Sequence, residues 1–134
     1  MIEERDLIYT SNIDCLIGET INKIDVNRFS AKDKDNDSII FHTNSGYSLE
    51  MYHNQDCCES VTIDDIIGDL DDLLNSPILI AEMNTNKSEA NGDSETWTFY
   101  KLATIKGYVD IKWYGTSNGF YSEEVYIDIT KQNL

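Results

Sequence analysis

The sequence predicts an α+β fold: a mostly antiparallel sheet of about seven strands with one amphipathic helix packed on it. Three observations predict it. Short runs of alternating apolar and polar residues recur between Glu19 and Thr130. Turn-forming residues separate most of these runs. One segment alone, VTIDDIIGDLDDLLNSP at 61–77, carries its apolar residues at helical spacing.

In chain order, residues 1–12 are expected to fray or to pack as an edge. CLIGETINKIDV reads as a strand from about Glu19 to Val26, before the polar loop SAKDKDNDS. SIIFHTNSGYSLEMYH reads as a β-hairpin, because Asn44, Ser45 and Gly46 are turn residues. With Ser45-Gly46 as a two-residue turn, position 42 lies opposite 49 and position 38 opposite 53. One face then carries Ile40, His42, Leu49, Met51 and His53, and the other Ile39, Phe41 and Tyr52.

In the predicted helix, Ile63, Ile66, Ile67, Leu70, Leu73 and Leu74 form one stripe. Thr62 is a suitable N-cap, Asp64 and Asp65 suit the first turn, and Asn75-Ser76-Pro77 stops it. Asp65, Asp69, Asp71 and Asp72 fall off the stripe and form an acidic outer surface. PILIAEM reads as a strand, and residues 84–95 as a mobile polar loop. TWTFYKLATI, YVDIKWYG and YSEEVYIDIT complete the sheet, each with one dry and one wet face.

The 134 residues fit a single domain, 1–134, long enough to bury one core. Twenty-five acids against ten bases give a net charge of −15. Such a surface argues against direct nucleic-acid binding and against anionic membranes, and favours cationic partners. No apolar run approaches the roughly 20 residues of a membrane span, and MIEERDLIYT lacks the pattern of a secretion signal. A cytoplasmic protein is expected. Three cysteines, Cys15, Cys57 and Cys58, are an odd count without framework spacing, so reduced thiols are expected.

MYHNQDCCESV, residues 51–61, gathers the chemistry-bearing residues. His53, Cys57 and Cys58 are zinc-ligand types, with Asp56 as an alternative ligand. Adjacent cysteines point to opposite sides of an extended chain, so both reach one ion only if the backbone bends. The hairpin register puts His42 on the face of His53 but about 14 Å away at ~3.3 Å per residue, too far to share an ion. A nucleophilic cysteine using His53 as base is a second reading, opposed by Asp56 and Glu59, whose charge disfavours a thiolate. The third is a strand-to-helix connection with buried cysteines acting as small hydrophobes. DKDNDS places Asp33, Asp35 and Asp37 like the start of a calcium loop, but Ser38 and Asn44 stand where that loop needs Gly and Glu. WYGTSNGFYSE, residues 113–123, is the best recognition surface: Thr116, Ser117 and Asn118 at a tip ringed by Trp113, Tyr114, Phe120 and Tyr121.

QDCCESV, IDDIIGDLDDLL with its SPIL continuation, and GYVDIKWYGTSNGFYSEEV together resemble a family of small uncharacterised bacteriophage proteins. The likeness runs from about Ile39 to Ile129. It implies phage origin and expression in the host bacterial cytoplasm, and it carries over no functional residues. The expected function is that of a non-enzymatic, acidic phage accessory protein. It would bind and modulate, for example inhibit, a bacterial host or defence protein with a basic surface. Asp65, Asp69, Asp71, Asp72, Tyr114, Ser117, Asn118 and Tyr121 would form the contact. The alternatives are a small-molecule binder that sequesters a nucleotide signal, and a zinc- or cysteine-dependent enzyme centred on His53, Cys57 and Cys58. No cofactor is expected, with zinc as the alternative.

Overall fold

The structure is a computed structural model that describes residues 7–10, 13–28 and 37–131, the first four by their backbone alone. Its strands are β1 (Leu7–Thr10), β2 (Ile21–Asn27), β3 (Ser38–Thr43), β4 (Tyr47–Tyr52), β5 (Ser60–Ile67), β6 (Ile80–Ala90), β7 (Asp93–Thr104), β8 (Gly107–Ser117) and β9 (Tyr126–Lys131). They form a five-stranded sheet, β1-β9-β4-β3-β2, and a four-stranded sheet, β5-β8-β7-β6, with antiparallel pairing throughout. Each sheet turns one apolar face to a shared core, the physical basis of a β-sandwich. Ile39, Phe41, Leu49, Met51 and Ile127 come from the first sheet; Val61, Ile63, Tyr100, Leu102, Val109, Ile111 and Trp113 come from the second. Trp113 is fully buried, and its Nε1–H donates across the core to Met51 Sδ at 3.2 Å.

The α+β expectation is overturned, because the predicted helix is not one. Residues 60–67 form β5, and only Leu70–Leu73 turn, as a 3-10 helix. Two features of the segment explain the misreading. Val61, Thr62, Ile63, Ile66 and Ile67 are β-branched, and such side chains favour the pleated sheet. The register shifts between Ile63 and Asp65, a β-bulge that stretches the strand's two-residue period to three and so imitates a helix. The bulge is tied down from outside: the buried Asp37 accepts the Ile63 N–H at 2.8 Å, and Arg28 donates to the Ile63 and Asp64 carbonyls. Gly68, at φ +107°, then ends the strand. A Cβ there would lie 2.6 Å from the Tyr108 carbonyl oxygen.

The β3–β4 hairpin forms, with its register one residue from the expected one. Phe41 lies opposite Leu49, and His42 opposite Ser48. Asn44-Ser45-Gly46 is a three-residue connection with Gly46 at φ +93°. The slip matters because side chains alternate. Phe41, Leu49, Met51 and His53 are buried, whereas His42 is half-buried and bonds to Asp25 Oδ2 at 2.9 Å. His42 and His53 therefore do not share a face. Residues 84–95, expected as a loop, are instead the outer half of the β6–β7 hairpin. It is closed by Asn91-Gly92, both at positive φ, as a two-residue turn of the right twist requires. In the calcium-like stretch, Asp33 and Asp35 lie outside the described residues.

Candidate functional site

The outer ends of β6, β7 and β8, with the loop after β8, enclose a groove of about 580 Å3. Side chains alternate across the sheet, so the outward-facing Glu95 and Tyr114 on neighbouring strands share its floor with Ser88 and Thr116. Tyr114 Oη donates to Glu95 Oε1 at 2.7 Å, which pushes the phenol above its ordinary range. Ser88 Oγ holds the other Glu95 oxygen at 3.0 Å. Asp93, Ser117, Asn118, Tyr121 and Cys58 complete the walls. Among the described lining residues there are two carboxylates, Asp93 and Glu95, and neither Lys nor Arg.

Two buried carboxylates brace this groove. Glu123 accepts hydrogen bonds from Thr96 Oγ1 and Ser117 Oγ, both at 2.6 Å, and from Ser94 Oγ. Burial pushes its carboxyl up, but the three hydroxyl donors and nearby Lys87 outweigh that and hold it below the usual range. Gly115 makes room for it, since a Cβ there would lie 2.9 Å from Glu123 Cβ. Glu59 is the second brace. It accepts from the Asp56 N–H at 2.8 Å, from the Cys57 N–H at 2.9 Å and from His53 Nε2 at 2.8 Å. Burial opposes the charge, yet His53 and the backbone amides hold this carboxyl down at about 2. His53 Nδ1 lies 2.6 Å from the Glu124 carbonyl oxygen, so the ring clasps the β4–β5 connection to the loop before β9.

The expected site residues divide. Tyr114, Ser117, Asn118 and Tyr121 do converge on one groove. Asp65, Asp69, Asp71 and Asp72 lose their common helical face with the helix. Asp65 is exposed opposite Lys112, Asp69 caps the 3-10 turn by accepting from Asp71 N–H, and Asp72 packs its carboxylate against Gly107. Around His53 both ring nitrogens are engaged, and no cluster of three metal-ligand side chains occurs among the described residues. Cys57 and Cys58 are exposed with their sulfurs side by side, so buried cysteines acting as small hydrophobes do not describe them; Cys15 is exposed and keeps its thiol. The backbone does bend at these residues, but it brings the sulfurs to one another. Sequence reasoning missed Asp93, Glu95 and Glu123. The Asn91-Gly92 turn signal could have placed Asp93 and Glu95 on a strand beside Tyr114.

A family model described as a domain of unknown function, DUF7448, matches residues 14–127. The chain belongs to the DUF7448 family. The residues that line the groove, together with Glu59 and Glu123, all lie inside this DUF7448 match. Neither curated proteins nor solved structures returned a match. No helix among the described residues is long and apolar enough to cross a membrane.

Proposed function

We propose that this DUF7448 protein is a non-enzymatic binding protein whose groove receives a basic segment of a bacterial host or defence protein. One observation carries the reading: among its described lining residues the groove joins two tyrosines to two carboxylates and has no cation. An Arg or Lys side chain would meet aromatic rings and negative charge together, a combination that favours cations at interfaces. Phe120, 81% exposed at the tip of the loop after β8, adds an aromatic contact at the rim. The net charge of −15 would speed the approach of a basic surface. Glu123, saturated by three hydroxyl donors, acts as a strut and not as a general base. The resemblance to phage proteins adds the expectation of a bacterial partner and of the host cytoplasm.

The groove's size supports a second reading. Its volume lies within the ~300–1,000 Å3 of small-molecule sites. With no Lys or Arg among the described residues of its walls, a neutral or cationic ligand suits it better than a nucleotide. The test is capture from bacterial lysate on the immobilised chain and on its D93N/E95Q variant. A protein retained by the wild type, released by salt and not retained by the variant is expected. Equal retention by both chains would refute the reading. Native mass spectrometry of the purified chain separates the second reading by showing a bound small molecule.

A further inference from the structure

The groove borders an open sheet edge. β6 ends the four-stranded sheet, and among the described residues no strand pairs with its outer side. The 3-10 turn Asp14–Leu16 packs near β6, yet residues 82–90 stay exposed. All eleven residues of β6 pair with β7 without a register shift. The strand therefore offers a long, regular row of backbone N–H and C=O groups. The other three edges do not. β1 is four residues long, β2 has a register shift between Ile21 and Lys23, and β5 has its bulge, whose carbonyls Arg28 occupies. Short edges and bulges keep an edge from pairing, and β6, which contains no proline either, has neither device.

We propose that the basic segment binds by strand addition, pairing its backbone with residues 82–90 of β6 and carrying Lys or Arg at every second position. This rests on the binding reading and names its mode. The pairing of β6 with β7 sets the spacing. Ser88 lies opposite Glu95 and Ala90 opposite Asp93, all four on the groove side. Side chains two apart on an added strand share a face, so basic residues at alternate positions fall on the groove side together. The added strand lies about 4.8 Å beyond β6, and so about 10 Å from β7. Ser88 and Ala90 are small, so a Lys or Arg lays its stem across them and brings its charge to the β7 carboxylates. Charge selects the occupant. The edge carries Glu82 and Glu89 against Lys87, the groove adds Asp93 and Glu95, and a second copy of the chain brings a further −15. A second copy is repelled here, and a basic strand is drawn in.

The experiment uses the full chain and two synthetic peptides of one composition and one charge, the alternating KTKTKTKT and the block isomer KKKKTTTT, both with capped ends. Calorimetry at low salt gives the affinities, and NMR follows backbone amide hydrogen exchange residue by residue. The alternating peptide should bind about tenfold tighter than the block isomer, the size of a pair of favourable cross-strand charge contacts. It should also slow exchange between 82 and 90 at the alternate amides that face away from β7. In D93N/E95Q the preference should shrink toward equality. Equal affinities in the wild type, unchanged exchange over 82–90 with peptide bound, or no binding of either peptide would overturn the proposal. Protection of 82–90 that grows with protein concentration in the absence of peptide would overturn it in favour of a second copy on this edge. Equal affinities that both fall in D93N/E95Q would overturn strand addition and leave the groove reading standing. A failed lysate capture beside a well-bound alternating peptide would instead remove the host partner and leave strand addition in place.

Discussion

Replacing Glu59 with Gln tests the buried clasp directly. Glu59 accepts three hydrogen bonds, from His53 and from the amides of Asp56 and Cys57, and its side chain is fully buried. Its carboxyl is held at about 2 against an ordinary 4.5. At ~1.4 kcal/mol per pKa unit, that difference contributes about 3 kcal/mol of stability. Because the folded state lowers this pKa, the contribution is complete above pH 4.5 and is lost as pH falls through about 2. An amide has one acceptor oxygen for the three donors, and its N–H2 would confront another donor. E59Q should therefore cost about 3 kcal/mol at neutral pH. The gap between the two chains should shrink by about 2 kcal/mol at pH 3, where much of the wild-type advantage has gone. Urea unfolding followed by tryptophan fluorescence reads both values, since Trp113 sits at the centre of the core. The difference between the chains also removes the background titration of the other acids. A cost below about 1 kcal/mol at neutral pH, or a gap unchanged at pH 3, would refute the reasoning.

Two further outcomes follow from local geometry. Gly68→Ala places a methyl group 2.6 Å from the Tyr108 carbonyl oxygen at φ +107°, so it should lower stability by about 2 kcal/mol or more in the same urea assay. E95Q removes the carboxylate that the Tyr114 hydroxyl donates to, so spectrophotometric titration should find one phenol ionising at lower pH than in the wild type.

The strands were legible where the side chains obey one period over six or more residues. In β8, Val109, Ile111 and Trp113 are buried while Asp110, Lys112 and Tyr114 alternate with them, and the sequence shows that pattern openly. β5 was not legible, because its bulge breaks the period and the residues that satisfy the bulge, Arg28 and Asp37, lie more than 25 positions away in the chain. The β6–β7 hairpin was hidden for another reason. Residues 82–90 on its edge strand are all exposed, so hydrophobic alternation had nothing to record there. Only the turn chemistry of Asn91-Gly92 marked it. At the groove, the aromatic and hydroxyl residues of the loop after β8 were readable as a cluster. The carboxylates arrive by strand pairing, and pairing is a property of the fold. Adjacent cysteines gave no warning that their sulfurs lie side by side, because an extended chain points them apart.

The five-stranded sheet places β9 between β1 and β4. Leu49 pairs with Ile129 and Met51 with Ile127, across almost eighty residues of chain. Closing so long a loop is slow, and neighbouring contacts do not reward it early. Before β9 arrives, β2, β3 and β4 can form a local meander, but the β4 edge stands open beside an uncovered apolar face. That edge is the natural template for a second chain's β9, so crowded synthesis should favour strand exchange between molecules at this seam over failure elsewhere in the fold.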